Sequence, residues 1–241
     1  MQIGQKIIRL TSVDSTNNYA AKLQKEGIIN SGTVILAEEQ FGGRGQRGSE
    51  WLSNAGENLT FSFFLSEVNL SVERQFKITQ FVSVVLIELF RKKGIDCQIK
   101  WPNDIYHQTE KIAGILIESS IKGSSINSLI IGVGLNVNQN EFGSLKATSV
   151  SKIKGAYSNL DSILMEFIHE FNLQDLNQYL ALEDEKKYLK NLYGLNEELL
   201  FEDENGSFKG VIHGIGGTGK IIIGQKGKTR SYAMKEIKFM R

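Results

Sequence analysis

The apolar positions of this 241-residue chain alternate between helical and strand periods along its first two thirds. Phe76, Phe81, Val82, Val85, Leu86, Leu89 and Phe90 gather mainly on one helical face, and Gly94 stops the run. Leu160, Ile163, Leu164, Phe167, Ile168 and Phe171 form a second such face, with Asn159 placed to cap it. A shorter helix is predicted over 15–25, where Ser15, Thr16 or Asn17 can serve as cap and Gly27 ends the turn. Segments rich in β-branched and aromatic residues predict strands at 6–10, 33–39, 58–65, 97–101, 111–119 and 128–135. The alternation over 111–118 reads as the return strand of a hairpin. The pattern implies an α+β fold, a mixed sheet with flanking helices.

Toward the C-terminus the pattern changes. Residues 199–240 read as short strands between glycine turns at Gly206, Gly216, Gly217, Gly219, Gly224 and Gly227, which suggests a small β-barrel appendage. The charged stretch 183–190 is the candidate boundary, dividing the chain into 1–188 and 189–241. Gly214 to Gly219 fits G-x-G-x-x-G and 214–220 approaches a P-loop. A strand-like segment follows where a helix is required, and Ile221 replaces the Ser/Thr, so a hairpin turn accounts for both.

Composition narrows the function. The chain is 41% hydrophobic, with 28 basic and 27 acidic residues and a net charge of +1, so no global field draws it to nucleic acid or an anionic membrane. Cys97 is the sole cysteine, which excludes an internal disulfide and suits a reducing compartment. His107, His169 and His213 are scattered and give no Cys/His metal pattern. The first residues lack the apolar core of a signal peptide. The greasiest run, 81–90, is broken by Ser83 and Glu88 and falls short of the roughly 20 residues a bilayer span needs. The expected setting is cytoplasmic, with no membrane and no DNA partner.

Chemistry concentrates in two segments. Residues 40–51 place Gly42, Gly43, Gly45 and Gly48 beside Arg44 and Arg47, directly after an apolar strand. Such a loop brings backbone N–H groups and guanidinium forks to one place, which suits phosphate or carboxylate. A surface turn with solvated arginines fits the same residues. The second segment is Lys100-Trp101-Pro102-Asn103-Asp104, followed by Lys111-Ile112-Ala113-Gly114. Pro102 is the only proline, and Asn-Asp after it favours a turn.

Together with Asp14-Ser15-Thr16-Asn17 and Gly132-Val133-Gly134-Leu135-Asn136, these segments resemble the biotin protein ligase family in order and spacing, over about residues 8–140. The resemblance implies a class II synthetase-like, biotin-lipoate ligase catalytic domain and an SH3-like C-terminal β domain. It implies activation of biotin by ATP and Mg²⁺ as biotinyl-5′-AMP, then transfer to a lysine of a biotin carboxyl carrier domain, with no tightly bound prosthetic group. In that reading Lys111 and Arg44 are catalytic. Ser15, Thr16, Asn17, Gln40, Arg44, Gly45, Gln46 and Lys111 hold biotin. Gly43, Arg47, Trp51, Lys100, Asn103 and Asn136 serve the nucleotide, and Asp104 orients Mg²⁺. Gln46 and Ser49 depart from commonly basic positions, which implies a weaker hold on the adenylate. The first strand begins almost at once, which leaves no room for the DNA-binding domain some members carry. The chain is expected as a monomer or homodimer. A lipoate or octanoate ligase shares the fold and the acyl-adenylate strategy, and a non-catalytic biotin- or adenylate-binding protein is the reading from another class.

Overall fold

The computed structural model describes residues 1–181 and 185–240, apart from the side chain of Arg47. Residues 183 and 184 of the expected boundary stretch lie outside the described residues. The chain runs β1 (Ile7–Val13), α1 (Thr16–Lys25), β2 (Val34–Gln40), β3 (Leu59–Ser71), α2 (Phe76–Lys92), β4 (Gln98–Lys100), β5 (Asp104–His107), β6 (Glu110–Lys122) and β7 (Ser125–Leu135). Helices α3 (Val150–Lys154), α4 (Leu160–Leu173), α5 (Leu176–Ala181) and α6 (Lys186–Lys190) follow. Strands β8 (Glu198–Asp203), β9 (Gly206–Ile215), β10 (Ile221–Gln225), β11 (Lys228–Tyr232) and β12 (Lys238–Phe239) complete it.

The first seven strands form one sheet in the order β1-β2-β3-β7-β6-β5-β4. Only the β1–β2 pair is parallel, so the sheet is mixed as expected. Side chains alternate across a strand, and the two faces differ in kind. Phe61, Phe63 and Leu65 of β3 share one face with Leu129, Ile131 and Val133 of β7, and α2 and α4 cover it. Phe61, Phe63, Phe81, Phe167 and Phe171 meet there edge to face or tilted, with centroids 5.1–6.4 Å apart. Helix α2 is buried on nearly all sides, which explains why its apolar stripe is so wide. Asn159 caps α4 by accepting the Ser162 N–H at 2.8 Å, as its position predicts.

On the opposite face α1 packs Ala20 against Ile35, Phe64 and Ile130. Ser15 stands at the N-cap of α1 but makes no side-chain cap bond. The Thr16 N–H is instead taken by Gln40 Oε1 at 2.7 Å. Strand β3 runs six residues past the expected end. Glu67 and Asn69 adopt positive φ, and the register shifts between Ser66 and Leu70, so a bulge carries pairing through a polar stretch that reads as a terminus.

The last five strands form an antiparallel sheet in the order β11-β10-β9-β8-β12 around Phe201, Ile212, Ile221 and Ile223. Its outer strands are not paired with each other, so the C-terminal barrel stays open. Residues 216–219 are the turn of the β9–β10 hairpin, closed by Gly216 N–H to Lys220 O at 2.8 Å. That turn accepts the indole N–H of Trp101 through Gly219 O at 2.9 Å. Ile99 bridges to Leu192, and Phe76 meets Tyr188 edge-on. No helix among the described residues is long and apolar enough to cross a membrane.

Candidate active site

Strand register builds the site. Ala37, Thr60, Gly134, Gly114 and Asp104 stand opposite one another across β2, β3, β7, β6 and β5. The adjacent row is Ile35, Ser62, Gly132 and Leu116, and the next carries Phe64, Ile130 and Glu118. Glycines at the centre of two rows leave a trough in the sheet. A Cβ on Gly134 would overlap the Trp51 indole, and one on Gly132 would overlap the Asn17 amide. The trough is therefore where the glycine loop and the start of α1 settle onto the sheet.

A cavity of about 250 Å³ opens above this trough. Ser15, Thr16 and Asn17 from the start of α1 line one side, and Gln40, Arg44, Gly45, Gln46 and Trp51 from the loop cover another. Asn103, Asp104 and Lys111 from the β5–β6 hairpin complete the wall. Met234, from the C-terminal unit, also reaches it. Eleven of the expected site residues thus meet at one opening.

The floor is polar and buried. Gln40 Oε1 accepts the Thr16 N–H and lies 3.0 Å from the Thr16 hydroxyl. The Thr16 hydroxyl meets Ser62 Oγ at 2.6 Å, and Ser62 donates to Asn17 Oδ1 at 2.6 Å. Both cations are held by carboxylates of the same sheet face. Arg44 lies 2.8 Å from Glu118, and Lys111 lies 2.6 Å from Asp104 with its ammonium 5.4 Å from the Trp51 ring centre. An incoming anion can therefore take each cation from a carboxylate partner, an exchange that costs little when the pair is partly solvated.

Other expected residues lie away from the cavity wall. Lys100 turns its ammonium over the rings of Tyr106 and Phe239, at 4.6 and 5.5 Å. Asn136 is buried and donates to Thr148 O and Lys111 O, so it fastens the strand that carries Lys111. Gly43 is also buried and receives the Trp51 N–H on its carbonyl, closing the loop on itself. The expected role of Arg47 rests on a side chain outside the described residues. Among the described residues no cluster of three or more His, Cys, Asp or Glu could hold a metal by itself. Sequence reasoning missed Glu118, Ser62 and Met234. Strand alternation from Gly114 through Leu116 puts Glu118 on the cavity face, a signal that was available; Met234 reaches the site by tertiary folding alone.

The fold and site define a mixed-sheet domain in which a glycine-arginine loop and a lysine-bearing hairpin close over one cavity. Residues 10–136 match the model of the biotin/lipoate A/B protein ligase family. A bifunctional ligase/repressor BirA from Escherichia coli is 37% identical over 135 residues, which cover 56% of this chain and 41% of that protein. The chain thus spans less than half the length of that relative. The BirA of Bacillus subtilis is 28% identical over 92% of this chain and 70% of its own. A biotin protein ligase from Aquifex aeolicus, solved in complex with biotin and ATP, superposes with a TM-score of 0.78 at 28% identity, covering 99% of this chain and all of that one. The chain belongs to the biotin/lipoate A/B protein ligase family.

Proposed function

We propose that the protein is an ATP-dependent biotin protein ligase. It activates biotin as biotinyl-5′-AMP and transfers the biotinyl group to a lysine of a biotin carboxyl carrier domain. The observation that carries this reading is the pairing of a hydrogen-bonding floor, buried Thr16 and Asn17 with half-buried Gln40, with two exchangeable cations, Arg44 and Lys111, at one cavity. The floor suits a compact polar ring, and the cations suit the carboxylate and phosphate that must meet above it. The E. coli and B. subtilis relatives are named as ligases, and the Aquifex protein was solved with biotin and ATP, which supports the same assignment.

In the first step a biotin carboxylate oxygen attacks the α-phosphorus of ATP. A new P–O bond forms, the bond to the bridging oxygen of the β-phosphate breaks, and pyrophosphate leaves. Two anions must be brought together, so the protein's share is positioning and fixed positive charge. Arg44 and Lys111 supply that charge, and the Gly45 and Gln46 segment covers the reacting end. In the second step the neutral lysine amine of the carrier attacks the acyl carbon. The C–O bond to AMP breaks, and the amine proton passes to solvent. No protein nucleophile is required.

Asp104 and Glu50 are the carboxylates on the cavity wall, and Asp104, beside Lys111, is the one assigned to Mg²⁺ entering with ATP, since magnesium usually takes one or two carboxylates plus phosphate oxygens. The ion would neutralise phosphate charge there. Residues 1–188 form the catalytic unit and 189–241 the appended β unit, which contributes Met234 to the cavity rim. ATP and a carrier protein as substrates fit a cytoplasmic setting.

The test is ATP–pyrophosphate exchange by the purified protein with Mg²⁺ and biotin, lipoate, octanoate or no acid. Exchange dependent on biotin is the expected result. Exchange with lipoate or octanoate alone would move the protein to the sister activity of the family, and no exchange with any acid would remove the adenylation step.

A further inference from the structure

Glu118 stands beside the cavity without lining it, and the chemistry above does not use it. It projects from the same face of β6 as Gly114 and Leu116, one row beyond Gly132. Its carboxylate accepts from two sides: Oε2 takes Asn17 Nδ2 at 2.7 Å, and Arg44 Nη2 lies 2.8 and 3.0 Å from the two oxygens. An ionised carboxylate can only accept. The Asn17 amide must therefore turn its NH₂ toward Glu118 and its oxygen away. That oxygen takes the proton of Ser62 at 2.6 Å. Ser62 has one hydroxyl proton, so the 2.6 Å contact between Ser62 and Thr16 draws on the Thr16 proton, which Ser62 shares with the Gln40 Oε1 acceptor at 3.0 Å. The Glu118 acceptor thus sets the direction from Thr16 through Ser62 and Asn17 to Glu118, while Gln40 Oε1 accepts from Thr16 at the other end. The middle of that row is buried, where alternative partners from solvent are absent.

We propose that Glu118 is a positioning and specificity-determining residue. It fixes which hydrogen-bonding groups Thr16 and Asn17 turn to the acyl ligand, and it holds Arg44 until a ligand anion takes it. The fixed direction leaves Asn17 with a second N–H and Thr16 with an oxygen lone pair at the cavity wall. A donor beside an acceptor complements a cyclic urea, which carries a carbonyl and an N–H. It offers nothing to a dithiolane or an alkyl chain. The inference rests on the biotin reading of the site and extends it to the origin of acid selectivity.

The test uses Glu118→Gln, which keeps the shape and removes the charge. A glutamine amide can meet Asn17 with either its oxygen or its NH₂, so the direction of the row is no longer imposed. Biotin binding is measured by calorimetry without nucleotide, and the KM for ATP by biotin-dependent exchange. Biotin should bind about tenfold more weakly, the loss of roughly one well-placed hydrogen bond. The KM for ATP should stay the same or fall, because Arg44 is no longer held by a charge. A merely structural role would weaken both ligands together. Ser62→Ala breaks the same row away from Arg44 and should weaken biotin to a similar degree. The double variant should then lose much less than the product of the two single effects. Wild-type biotin affinity in both single variants, multiplying effects, or a KM for ATP that rises with the loss of biotin each overturns the role of Glu118. If the unaltered protein binds lipoate or octanoate and not biotin, the biotin reading itself falls and takes the selectivity argument with it.

Discussion

Replacing Lys111 with methionine keeps most of the apolar stem and deletes the ammonium. That ammonium lies 2.6 Å from Asp104 Oδ1 and 5.4 Å from the centre of the Trp51 ring. The two charged side chains are 30% and 24% exposed, so the pair is partly solvated. A pair of this kind contributes at most about 1 kcal/mol to stability, and Tm should fall by no more than about 2–4 °C for a domain of this size. The effect on chemistry should be far larger. The cation faces the position where a carboxylate meets a phosphate, and losing one aligned stabilising group of that kind costs about 2.7–4 kcal/mol in the transition state. That corresponds to a rate lower by about 10²–10³-fold. Initial rates of biotin-dependent exchange at saturating biotin and MgATP, read beside a thermal unfolding curve, separate the two effects. Lys111→Arg keeps the charge but replaces a compact ammonium with a planar fork, and should fall between methionine and lysine. A methionine variant within threefold of the unaltered rate would refute the reasoning. So would a loss of activity that simply tracks a collapse in Tm.

Gly134→Ala should displace the Trp51 indole, since the new Cβ would overlap it. Its fluorescence should shift to the red and biotin-dependent exchange should fall at least tenfold, while far-UV circular dichroism stays unchanged; an unshifted spectrum would show that the trough accommodates the methyl group. Cys97 is buried, and burial first and Asp96 second push its thiol up to about 12. It should resist a thiol reagent at pH 8 in the folded protein and react fully in denaturant; rapid labelling of the native state would contradict its placement. Tyr188 is fully buried, its hydroxyl has no hydrogen-bond partner among the described residues, and burial holds its acid dissociation far above the usual range. Tyr188→Phe should therefore raise stability by about 1–3 kcal/mol, measured by urea unfolding, and a destabilised variant would reveal an unseen partner for the oxygen.

The elements that were legible in the sequence are those whose burial is one-sided or complete. The stripes of α2 and α4 and the cap at Asn159 follow from local spacing, and so do the helix over 16–25 and the hairpin around Asp104. The bulged extension of β3 was hidden because Ser66, Glu67 and Asn69 are polar and pairing there depends on β7. At the site, Arg44 stood out because anion binding calls for such a side chain, and Thr16, Asn17 and Lys111 through the family resemblance; all four line the cavity. Asn136 and Lys100 stand off the cavity wall, and residue type alone does not reveal direction. Asn136 points into the fold and fastens Lys111 from behind, and Lys100 turns toward two aromatic rings instead of the opening. The Glu118 row depends on register across β3, β7 and β6, which no local spacing discloses.

The central claim is that this chain joins biotin to a protein lysine by way of an adenylate. Intact-mass spectrometry of a biotin carboxyl carrier domain, incubated with the protein, biotin and MgATP, tests it most directly, with a lipoyl domain plus lipoate run in parallel. The account predicts one biotinyl group on the carrier, lost when its acceptor lysine is replaced, and no change in the lipoyl domain. An unmodified carrier in the presence of folded protein, or modification of the lipoyl domain alone, would contradict it.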